Sequence, residues 1–290
     1  MQLDLTKEIS ILQVNYYHQL ELLGATFAGW KRDSTFRPTN WILAFPYNFV
    51  SLKENVSMTL IREIALCNAL YGTHIFKEDK VLDNYNLPEA EYRSCILDMC
   101  RTQLLKNLGL AQFVRIGGES FLAYFSELES RYYSALIREK QMDGIGVDEM
   151  LADTNLTLLG DKSLPLVVSS VAFCLHENIE PMIPLCERLV TNYHIAHQLF
   201  DDYNDLEDDI KKADLSYMLN ACKQSLKKAA ISIGEARDLL GANNYRQKTR
   251  IFEAIERYLA IAEMNAQELH FEIFMNQIHR LRHAASSCTR

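Results

Sequence analysis

The stretch that decides the fold is Phe200-Asp-Asp-Tyr-Asn-Asp-Leu-Glu-Asp-Asp209, which places six carboxylates in nine residues. Asp201 and Asp205 are four residues apart, and Asp202 and Asp205 are three apart, so on a helix these side chains share one face. Like charges at such spacings destabilise a helix unless a cation neutralises them. Because the residues just before the run are apolar, the sequence predicts a long helix that carries its carboxylates at the mouth of a core.

The residue types of this run favour a divalent cation. Oxygen-rich clusters suit hard cations, and Mg²⁺ in particular keeps several waters and binds through one or two carboxylates plus substrate phosphate. We therefore expect Asp201, Asp202 and Asp205 to be metal ligands. The last three acidic residues, Glu207 to Asp209, are expected to belong to a solvated helix end.

A second acidic pair, Asp79 and Asp83, ends another nearly apolar segment with one helical turn between the two side chains. Such a pair occurs by chance on many helices, and alone it would indicate surface polarity. Its weight comes from the similar cluster about 120 residues downstream. Together the two clusters predict a site with carboxylates from two helices.

A lysine follows a glycine in Leu159-Gly-Asp-Lys-Ser163, and the apolar run after it predicts a helix that begins at Lys162. Backbone N–H groups and the helix dipole attract anions at a helix start. Lys162 lies 39 residues before Asp201, which is enough for one helix, a turn and a second antiparallel helix. We therefore expect Lys162 near the carboxylates.

Composition predicts an all-α protein. Of 290 residues, 48% are apolar, and only 11 are Gly and 6 are Pro, which suits long helices joined by short connections. No linker, repeat or low-complexity segment divides the sequence, so one domain over residues 1–290 with about ten helices is expected. Apolar periodicity places the long segments at 3–29, 52–82, 89–108, 119–141, 148–159, 162–176, 181–209, 216–240 and 245–283, with an irregular connection over 33–47.

Charge and cysteine usage exclude several classes. A net charge of −8 argues against general affinity for nucleic acid, because phosphate backbones are bound by clustered Lys and Arg. Seven cysteines without a CxxC pair indicate reduced thiols. The first ten residues lack the features of a secretory signal, and no apolar run is long enough to span a bilayer, so a cytoplasmic protein without a transmembrane segment is expected.

Over roughly residues 40–282 these elements resemble the class I isoprenoid synthase fold of prenyl diphosphate synthases, squalene and phytoene synthases and class I terpene cyclases. In that family two aspartate motifs on opposing helices hold three Mg²⁺ ions. Asp201-Asp202-Tyr-Asn-Asp205 is similar to the second motif, DDxxD, and Gln198 stands where these enzymes often carry Gln. Lys162-Ser163 is similar to a Lys-Thr or Lys-Ser element that starts a helix about forty residues earlier.

The resemblance implies an antiparallel helical bundle with a central active-site cavity and a role for each matching residue. The Mg²⁺ ligands would be Asp79, Asp83, Asp201, Asp202 and Asp205. The groups that hold the substrate diphosphate would be Lys162 and, with it, Lys211, Lys212, Arg131 and Arg138. The cations would neutralise the leaving pyrophosphate of a prenyl diphosphate and lower the barrier to C–O ionisation. No protein nucleophile is required.

The resemblance leaves the fate of the prenyl cation open. The form Asp79-x3-Asp83 looks more like that of squalene-synthase-like enzymes and some bacterial terpene cyclases than the DDxxD of chain-elongating enzymes. The segment Gly29-Trp-Lys-Arg-Asp-Ser-Thr-Phe-Arg-Pro38 has the residue types of a site for isopentenyl diphosphate but stretched spacing, and we interpret it as coincidence. We therefore expect a terpene synthase that forms a cyclic or rearranged product.

A cyclase needs a closed aromatic pocket in which ring faces stabilise cations. The candidate pocket residues are Tyr71, Phe76, Phe173, Tyr193, Gln198 and Phe200. Two other functions stay open: a prenyltransferase, either chain-elongating or similar to squalene synthase, and a non-catalytic helical partner subunit of the same fold. A homodimer is also expected, because it is common in enzymes that look like this.

Overall fold

The computed structural model describes residues 3–27, 40–83, 88–140, 145–212, 216–240 and 245–288. Within these ranges the chain is helical and contains no strand. Its twelve α-helices are α1 (Leu5–Leu22), α2 (Trp41–Ala44), α3 (Met58–Asp83), α4 (Glu89–Gly117), α5 (Ser120–Lys140), α6 (Asp153–Asp161), α7 (Leu164–Glu177), α8 (Ile183–Lys212), α9 (Tyr217–Leu226), α10 (Ile233–Leu240), α11 (Tyr245–Glu268) and α12 (Glu272–Cys288). Three 3₁₀ helices are Gly24–Phe27, Phe45–Ser51 and Glu180–Met182. The predicted all-α class is confirmed.

The chain forms two compact units, each made of three segments of the sequence. Unit 1 comprises Met1–Glu127, Pro165–Cys186 and Ala266–Gln277. Unit 2 comprises Leu128–Leu164, Glu187–Asn265 and Ile278–Arg290. The prediction of a single domain over residues 1–290 stays a prediction.

Unit 1 has an aromatic core. Phe49 stacks on Phe173 with ring centroids 5.0 Å apart, and Phe45 meets Phe274 edge-on at 5.7 Å. The amide of buried Asn48 donates to the carbonyl of Phe45 and accepts from the backbone N–H of Phe274. Because buried polar groups must be paired, Asn48 ties the chain before α3 to α12.

Among the described residues of unit 1, α3 and α4 make the most extensive contact between two helices, and a glycine allows their backbones to approach closely. A Cβ on Gly109 would lie 2.8 Å from the carbonyl oxygen of Cys67 and 3.2 Å from the backbone nitrogen of Tyr71. Only a residue without a side chain fits there, so Gly109 brings α4 against the backbone of α3 and fixes the helix that carries Asp79.

Prolines and glycines start and end several helices as expected. Pro88 precedes α4, and Pro184 lies in the first turn of α8, where a missing N–H costs nothing. Gly118 ends α4 with a φ of 71°, a conformation that glycine adopts without strain. The predicted segment 89–108 was too short, because α4 continues to Gly117.

Two segments predicted as single helices are each divided. The span 216–240 forms α9 and α10, because Lys227 adopts the left-handed conformation at φ 52° and ends α9. The Ser232 hydroxyl and the Glu235 carboxylate then accept hydrogen bonds from each other's backbone N–H groups in a capping box that starts α10.

The span 245–283 divides at His270, which has φ 57°, next to the fully buried Phe271.

Two further predictions of segments need correction. The sequence predicts an irregular connection at Tyr47, but this residue lies in the 3₁₀ helix Phe45–Ser51 and is fully buried. The helix predicted over 148–159 begins later, at Asp153, and includes Gly160. A Cβ on Gly160 would lie 3.2 Å from the side chain of Ile195, so this glycine allows close packing of α6 and α8 rather than a helix end.

No single described helix is long and apolar enough to cross a membrane, and the bent pair of α6 and α7 reaches that threshold only by combined length and composition. All seven cysteines are free thiols, and Cys67, Cys174, Cys186 and Cys222 are buried.

Candidate metal and diphosphate site

The acidic run lies on α8, and its aspartates divide between two environments. Asp201 and Asp205 are exposed, whereas Asp202 is buried with only 4% of its surface accessible. The apolar residues Leu199 and Leu206 are buried on the inner side of the same helix. The prediction that all three carboxylates share one face does not hold for Asp202, because successive residues of a helix are rotated by about 100°.

The carboxylate of Asp202 joins two helices of unit 2. One oxygen accepts from Gln198 Nε2 at 2.6 Å, and the other accepts from the backbone N–H of Met218 at 3.0 Å. Met218 lies in the first turn of α9, where backbone N–H groups have no partner within the helix. Burial raises the pKa of Asp202 to about 7, although both hydrogen bonds and the charge of Lys162 oppose the rise.

Asp201 is flanked on its own face by two ionisable groups, His197 one turn before it and Asp205 one turn after it. Partial burial raises the pKa of Asp201, the nearby His197 lowers it and Asp205 raises it again. The ring of His197 lies 6.0 Å from that of Tyr193. The exposed face of α8 therefore presents two carboxylates one turn apart, next to an imidazole.

Lys162 does not start a helix as predicted. It is the C-cap of α6, and α7 begins two residues later at Leu164. The reason is local: the Lys162 N–H still donates to the carbonyl of Leu158, and the Ser163 hydroxyl donates to that of Gly160. Lys162 therefore lies in a tight turn between two helices.

The ammonium of Lys162 is paired inside unit 2 with Glu139, the penultimate residue of α5. Its Nζ lies 3.0 Å from Oε1 and 2.9 Å from Oε2 of Glu139. The two side chains are only 13% and 4% exposed. Both charges act on the pKa of Asp202, which Lys162 lowers and Glu139 raises, so the three groups form one buried network.

Sequence reasoning missed Glu139, although a signal was present. The buried residues of the last turns of α5 are Tyr132, Ala135, Leu136 and Glu139, the spacing of a core-facing helical stripe. A glutamate in such a stripe must be paired. His194 was missed as well: both of its ring nitrogens are buried and have no hydrogen-bond partner among the described residues.

The other predicted diphosphate cations have different surroundings. Arg131 bridges Asp161 and Glu187 at 2.7 Å each, so two carboxylates already hold its guanidinium. Lys211 pairs with Asp208 at 2.9 Å on the exposed end of α8. Arg138 and Lys212 are exposed.

The first acidic motif lies at the end of α3 in unit 1. Asp79 is half-buried, and the side chain of Asp83 lies outside the described residues. On either side of Asp79, Lys77 and Lys80 contribute to a small cavity of about 230 Å³ between α3 and α4, and Lys77 lies 3.5 Å from Asp98 there. The segment Gly29–Pro38 also lies outside the described residues.

The candidate pocket residues are mostly core residues of their units. Tyr71 and Phe173 are fully buried in unit 1, where Tyr71 meets Phe125 edge-on. Tyr193 is buried in unit 2, and Phe200 is half-buried. Phe76 is 51% exposed. Contact of any of them with a substrate stays a prediction.

The two exposed carboxylates on α8 suit a hard cation that also has water or phosphate ligands. Asp201 and Asp205 offer two solvent-facing carboxylates one helical turn apart, and Mg²⁺ is usually bound through one or two carboxylates while it keeps several waters. Among the described residues no group of three or more His, Cys, Asp or Glu side chains is arranged to hold a metal by itself. Two ligands plus a substrate phosphate is therefore the arrangement that these residues suit.

Comparison with known proteins shows a likeness in structure. No protein family profile and no curated protein matches the sequence. The structure is similar to octaprenyl pyrophosphate synthase from Helicobacter pylori, with a TM-score of 0.64, 15% identity and coverage of 100% of both chains. It is also similar to geranylgeranyl pyrophosphate synthetase from Pyrococcus horikoshii Ot3, with a TM-score of 0.50, 13% identity and coverage of 97% of this chain and 98% of the other. The chain has the isoprenoid synthase fold.

Proposed function

We propose that this chain is a prenyltransferase that binds an allylic prenyl diphosphate through Mg²⁺ and joins its prenyl group to a second isoprenoid substrate. The observation that carries the proposal is the solvent-facing pair Asp201 and Asp205 on α8, in a fold shared along its whole length with two enzymes named as prenyl pyrophosphate synthases. This choice differs from the cyclase expected from the sequence, because the structural neighbours support the alternative of prenyl transfer better.

The residues have distinct parts in this proposal. Asp201 and Asp205 would hold the cation and its waters on the exposed face of α8. Asp79 and Asp83, the first acidic motif, would be Mg²⁺ ligands on α3. Lys162 would contribute a positive charge to the diphosphate. Bound Mg²⁺ supplies charge neutralisation of the leaving pyrophosphate. Asp202, with both oxygens hydrogen-bonded, would orient α8 against α9 and hold the exposed aspartates in place.

Cyclisation is the second candidate, and one observation favours it. The first motif has the form Asp79-x3-Asp83, which resembles that of squalene-synthase-like enzymes and some terpene cyclases. Both functions begin with ionisation of the same C–O bond, so the residues assigned above serve either one.

Product analysis separates the two functions. Purified protein is incubated with Mg²⁺ and the C10, C15, C20 or C25 allylic diphosphates, with and without isopentenyl diphosphate. Pyrophosphate release and products are then measured before and after phosphatase treatment. Prenyl transfer to isopentenyl diphosphate predicts longer prenyl diphosphates that form only when it is present. Without it, hydrocarbons or alcohols with the carbon number of the substrate would support cyclisation, and a hydrocarbon with twice that number would support prenyl transfer between two allylic diphosphates. Absence of pyrophosphate release in every mixture would contradict both and favour the non-catalytic partner subunit.

A further inference from the structure

The buried ion pair of unit 2 joins Lys162, a predicted diphosphate-binding residue, to Glu139, which has no assigned role. Lys162 is the cation that the proposed function directs to the diphosphate, yet both oxygens of Glu139 lie within 3.0 Å of its Nζ. Glu139 comes from α5 and Lys162 from the turn between α6 and α7. Such a pair fixes the ammonium in one place, because a buried carboxylate released from its partner would be left uncompensated.

The two charges of the pair offset each other, and Asp202 and His194 lie near it. Asp202 lies close enough for both members to change its pKa, and the charge of Lys162 also lowers the pKa of His194. Burial is the main cause of that lowering, so His194 is neutral near pH 7. An arriving diphosphate meets a cation whose charge Glu139 already offsets.

We infer that Glu139 is a positioning residue of the diphosphate site, which holds the Lys162 ammonium in place and weakens its attraction for pyrophosphate so that the product leaves. The inference rests on the proposed function, because only that function directs Lys162 to a diphosphate. Glu139 acts through Lys162 and does not itself touch the substrate.

The sign of its effect follows from charge. Replacement by the isosteric Gln removes the negative charge that offsets the Lys162 ammonium, so the ammonium attracts an anion more strongly. It also releases the ammonium from its fixed position, and misplacement of a group that acts in the reaction lowers the rate. Glu139→Gln should therefore bind pyrophosphate more tightly and turn over more slowly. Loss of packing alone would weaken binding and the rate together.

The experiment measures binding of inorganic pyrophosphate with Mg²⁺ by calorimetry, together with kcat and KM for the allylic substrate. For Glu139→Gln we expect a Kd for pyrophosphate about tenfold lower, an effect of roughly one close charge in a partly buried site, and a kcat lower by about tenfold. Lys162→Met should weaken pyrophosphate binding by a similar factor. In the Lys162→Met background, Glu139→Gln should change the pyrophosphate Kd by less than about twofold, since Glu139 acts through Lys162.

Two further variants serve as controls. Glu263→Gln removes another partly buried carboxylate of unit 2, which pairs with Arg282 at 2.8 Å and His279 at 3.1 Å, and should leave the pyrophosphate Kd unchanged. Glu139→Asp keeps the charge but shortens the side chain, so it should retain the wild-type Kd while kcat falls. This variant keeps the inference testable if Glu139→Gln does not fold.

The outcomes distinguish the inference from the proposed function. A wild-type protein that neither binds pyrophosphate nor releases it from any substrate contradicts the proposed function, and the inference with it. A functional wild-type protein whose Glu139→Gln and Glu139→Asp variants match it in both Kd and kcat overturns the inference alone. Weaker pyrophosphate binding by Glu139→Gln would also overturn it.

Discussion

Neighbouring aspartates of α8 have opposite environments, and this difference changes what each can do. Asp201 is exposed, so a cation can approach it with water still attached. Asp202 is buried and accepts hydrogen bonds from Gln198 and Met218. A ligand role is therefore better supported for Asp201 and Asp205, and Asp202 stabilises the junction of α8 with α9.

Replacement of Asp201 by Asn tests this assignment. The variant loses one anionic ligand on an exposed helix face, so the fold should be unaffected while kcat/KM falls by about 100-fold or more. Pyrophosphate release is measured over a range of Mg²⁺ concentrations. Glu207→Gln is the matched control, because Glu207 lies on the same helix and pairs with Arg237; it should retain wild-type activity. Near-normal activity of Asp201→Asn would remove Asp201 from the metal site.

His194 predicts a dependence of stability on pH. Burial, then the charges of His197 and Lys162, lower its pKa from 6.5 to about 3 in the folded protein. Its contribution to stability is therefore complete above pH 6.5 and is lost as the pH falls towards 3, because the unfolded state binds the proton first. The expected loss between pH 6.5 and pH 5 is about 2 kcal/mol.

The measurement is the free energy of unfolding in urea at pH 7.5, 6.5 and 5 for the wild-type protein and for His194→Gln, which stays neutral throughout. Between pH 6.5 and pH 5 the free energy of unfolding of the wild-type protein should fall by about 2 kcal/mol more than that of the variant. Equal losses in the two proteins would show that His194 is protonated equally in the folded and unfolded states.

At the scale of elements, two glycines of unit 1 offer a direct test of how α3 and α4 pack. Gly109→Ala should destabilise the protein by about 1–3 kcal/mol, because its Cβ would lie 2.8 Å from a backbone oxygen of α3. Gly72→Ala should instead stabilise the protein by about 1 kcal/mol, since no atom of the described residues lies within 4 Å of the added Cβ and Ala is the better helix former. Thermal or urea unfolding measures both. Similar effects at the two sites would contradict the close contact at Gly109.

The sequence predicted breaks between consecutive helices less well than the helices themselves. Apolar periodicity continues through Lys227 and His270, so the pattern alone predicts single helices there. The structure breaks both with non-glycine residues at positive φ, a conformation that costs energy and is retained only where surrounding contacts require it. The Ser232–Glu235 capping box was the one local signal for such a break.

At the scale of the whole molecule, the predicted homodimer has a suitable face on α4. Leu97, Leu104 and Leu108 are 57%, 43% and 37% exposed. Between Thr102 and Val114 the only charged residue is Lys106, which is buried, and the exposed Arg101 lies between Leu97 and Leu104 at the N-terminal end of this face. Depletion of charge in an exposed apolar face is typical of the core of a protein interface.

Leu104→Asp tests the dimer. The wild-type protein should have twice the chain mass of 33.4 kDa by light scattering, and the variant should shift towards the monomer, because a charge would be buried without a partner. Val14→Asp is the control, since Val14 is an exposed apolar residue of α1 in the same unit. A monomeric wild-type protein, or a Leu104→Asp variant that keeps its mass, would contradict the prediction.

The sequence by itself determined the helical class and the positions of the acidic motifs, because apolar periodicity and local charge spacing are properties of neighbouring residues. It also indicated the isoprenoid synthase fold through Lys162 and the run from Asp201 to Asp205. Only the tertiary structure decided that Asp202 faces Met218 and that Glu139 holds Lys162. The two partners are 16 residues apart in the first pair and 23 in the second. They become buried and hydrogen-bonded only when whole helices pack together, and a local sequence pattern does not contain this information.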